Sequence, residues 1–348
     1  MDKDSYHDVL EDLEDVQGIG PYTRFRKIPK TLPPRQRPPK QQIKPPAEEW
    51  VTELVAEQDI SAIKFTYQAS RTEEGWLNDS LGFFYESHWI DDVLRLVKGG
   101  KEASVYLCSA NPATGLDYLA AKVYRPRRLR SLRNDHLYQE GRDRLDEDGN
   151  PIIDDGKHHA MDKRTSYGLE LTHISWIEHE VRALRLLSEA GACVPTPYTR
   201  GHNAILMDFI GDPEMAAPTL NSVHLEVDEA KDLFRRLLAD VECALTLGLI
   251  HGDLSAYNIL YWEGEATLID FPQVVSPQQN RNAYQIFKRD IRRLCDYFVR
   301  QGVEADPNRI AVEMWTRRGL RRTPEVHPGL LDDQNEEDLA YWRKLQDR

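Results

Sequence analysis

LIHGDLSAYNILYWEGEATLIDFPQVV, residues 249–275, decides how the rest of the chain is read. Asp253 follows the apolar residues Leu247, Leu249 and Ile250, in a turn with His251 and Gly252. Asn258 comes five positions later and opens a second apolar run, Ile259 to Tyr261. Glu263 and Gly264 then make a turn, and the run Ala266 to Ile269 delivers Asp270. Two short apolar runs joined by a turn predict a β-hairpin. Such a hairpin carries Asn258 at its start and Asp270 at its end, so it brings the two back together.

Those three side chains suit phosphoryl transfer. A carboxylate such as Asp253 can orient a hydroxyl and accept its proton. An amide oxygen, Asn258, and a second carboxylate, Asp270, are hard ligands for magnesium held on phosphates. Any one of them alone reads more simply as a turn cap. The ordered set, with an Asn five positions after the first Asp and a second Asp on the next strand, follows the catalytic pattern of kinases.

Outward from this stretch, the chain has 348 residues, enough for a two-lobed domain or two to three smaller units. A hydrophobic content of 40% supplies a sizeable core. A net charge of −13 argues against a chain that coats nucleic acid along its whole length. The four cysteines, Cys108, Cys193, Cys243 and Cys295, form no CxxC pair and read as reduced thiols, which implies a cytoplasmic protein. No apolar run reaches membrane-spanning length, so no membrane partner is expected.

Residues 1–47 are acidic at first, then alternate prolines with basic residues such as Arg24, Lys30, Arg37 and Lys44, and read as a disordered tail. The plain reading is a solvated tail; the sharper one is a basic arm that grips RNA. Residues 48–97 read as a helical cap, with helical spacing at Trp50, Leu54 and Val55 and again at Trp89, Ile90, Val93, Leu94 and Val97. A glycine turn at Gly99 and Gly100 leads into a strand, and YLAAKVY, residues 118–124, returns with Lys122 near its centre. A lysine in an apolar strand is costly to bury unpaired. Its expected partner is Glu180, on a helix from about Ile174 to Ala190 whose stripe is Ile177, Val181, Leu184 and Leu187. Glu178 stands farther from that stripe. A charged insertion near 130–168 separates the two and reads as a solvated loop. The apolar strand AILMDFI, residues 204–210, is the candidate hinge for an adenine ring, through backbone groups between Asp208 and Ile210. Helices are expected over 228–247, 284–300 and near 309–317, and a charged tail from 321.

Taken together, Gly100-Lys101-Glu102-Ala103, Lys122, Glu180, ILMDFIGD, HGDLSAYNIL and LIDFPQVV resemble the RIO family of atypical serine/threonine protein kinases, in the archaeal style of its first branch. The resemblance covers about residues 98–300. It implies an α+β, two-lobed protein-kinase-like fold, with a β-rich N-lobe over 98–210 and a mostly helical C-lobe over 211–320. It implies ATP with magnesium, or manganese in its place, as cofactors. Asp253 would be the catalytic acceptor, and Asn258 and Asp270 the metal ligands, with Asp270 counted as catalytic too because it can itself take the phosphate. Lys101, Ser104, Val105, Lys122, Glu180, Asp208 and Ile210 would contact or support the nucleotide. The family further implies a protein substrate, self-phosphorylation, and a ribosomal-particle partner to which the basic arm is the only pointer. Where that branch usually has Ala, this chain has Gly252. Two other readings remain: a small-molecule phosphotransferase of the aminoglycoside or choline type, which shares His-Gly-Asp-Leu, and a nucleotide-binding scaffold without turnover. The Gly-Gly-Lys-Glu-Ala turn and Ser255 count against the phosphotransferase, and the presence of all the catalytic side chains counts against the scaffold.

Overall fold

The computed structural model describes residues 63, 65–125 and 142–321. The expected tails at 1–47 and 322–348, the first part of the helical cap and residues 126–141 of the insertion lie outside the described residues.

A helix, α1 (Arg71–Glu86), is capped by the Ser70 hydroxyl accepting from the Glu73 amide. It precedes the strands β1 (Ile90–Gly99), β2 (Ala103–Ala110) and β3 (Tyr118–Tyr124). Two helices follow: the short α2 (Asp155–Asp162) and the long α3 (Ser166–Glu189). With β4 (Pro197–Arg200) and β5 (Ala204–Asp208) the strands make one antiparallel sheet of order β1-β2-β3-β5-β4.

Strand alternation decides what each face of this sheet carries. On β3, Leu119, Ala121 and Val123 pack with Trp76, Leu77, Leu81 and Phe84 of α1. The alternate residues Lys122 and Tyr124 face α3, where Tyr124 and Ile205 join Trp176, Ile177 and Val181. The same alternation on β2 turns Ala103 and Val105 toward the cleft, while Tyr106 and Cys108 face α1.

The sequence reading is corrected at two places here. Residues 90–97 are a strand, not part of a helical cap. β1 carries register shifts between Ile90 and Asp92, Val93 and Arg95, and Leu96 and Lys98. Each bulge adds a residue, so the inward positions Ile90 and Val93 fall three apart and imitate a helical period. The insertion, read as a solvated loop, is built against the domain over its described part. Leu145 is fully buried and bridges to Pro151. Ile152 and Met161 pack on Leu171, so α3 starts eight residues before the expected Ile174.

After the sheet come α4 (Val227–Thr246), the hairpin β6 (Ile259–Trp262) and β7 (Glu265–Leu268), α5 (Ala283–Arg300) and α6 (Pro307–Arg317). Leu233, Leu237 and Leu245 of α4, Ile286, Phe287, Ile291 and Leu294 of α5, and Met314 and Trp315 of α6 form one core. Leu184 and Leu187 of α3 join it, so α3 touches both lobes. The chain therefore folds as the expected α+β, two-lobed kinase-like architecture. No helix among the described residues is long and apolar enough to cross a membrane.

Candidate active site

The hairpin sets the site. Glu263 at φ 50° and Gly264 at φ 86° form a two-residue turn of the kind that matches strand twist. Ile259 pairs with Leu268, and the Ile269 amide donates to the Asn258 carbonyl at 3.0 Å. The two ends of the hairpin are thereby fixed side by side, with Asp270 the next residue. Asp270 itself adopts φ 70°, a left-handed conformation uncommon for a residue with a side chain and one that concentrates at functional sites.

Lys122 Nζ lies 2.5 Å from Glu180 Oε1 and 2.6 Å from Asp270 Oδ1. Glu180 is 1% exposed. Its other oxygen accepts from the Tyr124 hydroxyl at 2.7 Å. Burial works to lower the Lys122 pKa, but the carboxylates of Asp270 and Glu180 outweigh it and hold the ammonium above its ordinary range. Burial likewise works to raise Asp270, and Lys122 outweighs it, so that carboxyl sits below its usual value. Glu178, the other acid considered, pairs instead with Arg200 at 2.7 Å.

A cleft of about 640 Å³ opens between the sheet and the hairpin. That is the size range of small-ligand sites. Lys101, Val105, Lys122, Glu180, Asp208, Ile210 and Asp270 all line it. Ser104 does not: it is buried on the α1 side of β2 with its hydroxyl at Tyr106, as strand alternation requires of the neighbour of Val105. The Asp208 carboxylate is also turned away, accepting from the Thr196 amide at 2.8 Å and the Tyr198 hydroxyl at 2.6 Å. Any contact it makes in the cleft is through backbone. The Ile210 carbonyl accepts from the Ala217 amide, while the Ile210 amide donates to no group among the described residues. That amide is an open hinge donor for a heterocycle.

Asp253 and Asn258 stand beside the cleft. Asn258 Nδ2 donates to the Asp253 carbonyl at 2.8 Å and to its carboxylate at 3.1 Å. Asn258 Oδ1 then has no donor among the described residues, nor does the second oxygen of Asp270, whose side chain is 40% exposed. Two such hard oxygens suit a magnesium ion whose remaining ligands are phosphates and water. Burial raises the Asp253 pKa, and the Arg293 guanidinium opposes that rise most strongly. His251 meets the Asp253 amide at Nδ1 and the Ile269 carbonyl at Nε2, so its ring ties the catalytic loop to the returning strand.

The loop is held from below by α5. The Gly252 amide donates to Asp290 Oδ2 at 2.8 Å, and Arg289 donates to the Gly252 carbonyl. Gly252 sits at φ 83°, and a Cβ there would lie 2.2 Å from the Gln273 carbonyl oxygen. Both facts require glycine. Gly252→Ala is expected to destabilise the protein by about 2–4 kcal/mol. A urea unfolding midpoint within error of the wild type would contradict this.

Several partners went unread in the sequence, Arg289 among them. Tyr124 looked like a strand aromatic. Asp290 does carry a signal: it is an acid set among Ile286, Phe287, Ile291 and Leu294 on an apolar face. Arg293 carries none, being one of several cations on α5. Nor does Arg142, whose Nε donates to the Val274 carbonyl and Nη2 to that of Pro272, each at 2.9 Å, tying the insertion to the segment after Asp270.

Residues 150–310 match the profile of the RIO domain. The chain is 31% identical over 228 residues to serine/threonine-protein kinase RIO1 of Chaetomium thermophilum, a match covering 62% of this chain and 41% of that protein. It is 33% identical over 133 residues to RIO-type serine/threonine-protein kinase Rio1 of Haloferax volcanii, covering 38% of this chain and 44% of the relative. Against the Rio1 of Methanocaldococcus jannaschii the identity is 30% over 222 residues, covering 62% and 66%. The matches thus span less than half the length of the first two relatives. The profile match takes in Glu180, Asp253, Asn258 and Asp270 of the site, and by this match and these relatives the chain is similar to the RIO-type kinases.

Proposed function

We propose that this chain is an ATP- and magnesium-dependent protein kinase that transfers the γ-phosphoryl group to a serine hydroxyl. The observation that carries this reading is the junction of Lys122 with both Glu180 and Asp270 at the floor of the cleft. A nucleotide enters with its adenine against the Ile210 amide. Lys122, locked by Glu180, is a fixed positive charge for its phosphates. Asn258 and Asp270 would hold the ion, which when bound neutralises charge on the transferring phosphoryl group. Asp253 accepts the proton of the acceptor hydroxyl as that oxygen bonds to the γ-phosphorus. The bond from phosphorus to the bridging oxygen breaks, and ADP leaves with the electron pair.

A second reading has an observation of its own. The Asp270 side chain is 40% exposed and Lys122 holds one of its oxygens, so the other can attack the γ-phosphorus; the bond to the bridging oxygen breaks, ADP leaves with the electron pair, and an aspartyl-phosphate remains. The chain would then act as an ATPase switch. The RIO relationship makes a ribosomal particle the partner to test first for either reading.

The test is the chemistry of the label. The full chain, incubated with γ-labelled ATP and magnesium, is expected to carry phosphate that survives acid and hydroxylamine. Label released by hydroxylamine and lost in Asp270→Asn supports the switch. No label and no ATP binding would remove both.

A further inference from the structure

α5 presents three residues to the loop of Asp253, at i, i+1 and i+4. Arg289 and Asp290 grip the two sides of the Gly252 peptide group. One turn on, Arg293 Nη1 donates to Asp253 Oδ1 at 2.9 Å. The other carboxylate oxygen of Asp253 is taken by Asn258 Nδ2. Both oxygens are therefore fixed, one by a neighbour in the loop and one by a distant helix. Spacing of i and i+4 puts Arg289 and Arg293 on one face of the helix, so the grip on the backbone and the grip on the side chain share one rigid element. The Arg293 side chain is only 25% exposed, and the ion pair is correspondingly less screened than a surface pair.

The charges around Asp253 are few. Arg289 and Asp290 pair with each other at 3.1 Å and largely cancel. His251 contacts the Asp253 and Ile269 backbone, not the Asp253 carboxylate. Among the described residues, Arg293 is the one cation that makes an ion pair with the carboxylate. It does not line the nucleotide cleft.

We propose that Arg293 is the positioning residue for Asp253, fixing the carboxylate in the rotamer that meets the acceptor hydroxyl without itself contacting ATP. The inference rests on the reading of Asp253 as the proton acceptor. A carboxylate released from this contact can turn away from the acceptor, and misplacement by about 1 Å can cost 10²-fold in rate.

The test uses the full chain, dephosphorylated casein as a serine-bearing acceptor, and the variants Arg293→Met, Arg293→Lys, Asp253→Asn and the double Asp253→Asn/Arg293→Met. Arg293→Met is expected to lower kcat by about 10–100-fold, with the KM for ATP and ATP affinity within about twofold of wild type. Because a single N–H···O contact joins the pair, Arg293→Lys is expected to recover most of the rate. In the Asp253→Asn background, Arg293→Met is expected to change nothing further. A wild-type kcat in Arg293→Met, with Asp253→Asn inactive, overturns this inference alone. So does a loss that Arg293→Lys fails to recover, or one confined to KM. A wild-type kcat in Asp253→Asn overturns the proton-acceptor reading and this inference together.

Discussion

Lys122→Met is expected to cost about 3–5 kcal/mol of stability and to abolish ATP binding. The stability loss comes from Glu180. Its carboxylate is 1% exposed and faces three donors, Lys122, the Tyr124 hydroxyl and, at 3.4 Å, the Phe271 amide. Methionine fills the space of the lysine stem but supplies no charge. A buried carboxylate is then left with neutral partners only, and breaking a buried pair from one side is far costlier than replacing both sides. Lys122→Met/Glu180→Gln is therefore expected to recover most of the stability and none of the ATP binding. Urea unfolding and calorimetric titration with ATP measure the two separately. An unchanged unfolding midpoint for Lys122→Met would mean that the pair at 2.5 Å is not the buried lock described here.

The second large effect separates the two aspartates. Asp253→Asn is expected to lower kcat by about 10²–10⁴-fold, the usual contribution of a proton acceptor, while ATP affinity stays within about threefold. Asp270→Asn is expected to fail differently. It loses the negative charge that attracts the ion and that pairs with Lys122 at 2.6 Å, leaving only a neutral amide oxygen, so magnesium should no longer strengthen nucleotide binding. Steady-state kinetics at saturating ATP, set beside binding titrations with and without magnesium, distinguishes the pair. If Asp253→Asn turns over at the wild-type rate, the proton goes elsewhere.

The hairpin and its two ends were legible because every local signal agreed: apolar runs of strand length, a two-residue turn, and polar residues at the ends. The Lys122–Glu180 pairing was legible for the same reason, since a charge in an apolar strand demands a partner and the helix stripe left Glu180 at its edge. β1 was not legible as a strand. Its bulges move Ile90 and Val93 three residues apart, and a period of three is read as a helix. Ser104 was assigned to the nucleotide through the family resemblance, and strand alternation places it on the opposite face. The grip of α5 on the loop was hidden because Arg289, Asp290 and Arg293 act across about 40 residues of sequence, a pairing that no periodicity encodes. Arg142 is hidden likewise, reaching Val274 from 132 positions away.

The most direct test of the account is the affinity of the full chain for ATP with and without magnesium, in the wild type and in Asp270→Asn, by titration calorimetry. The account predicts that the wild type binds one ATP, that magnesium tightens this binding, and that Asp270→Asn binds ATP with no gain from magnesium. A wild type that binds no ATP, or an Asp270→Asn variant that gains as much from magnesium as the wild type, would contradict it.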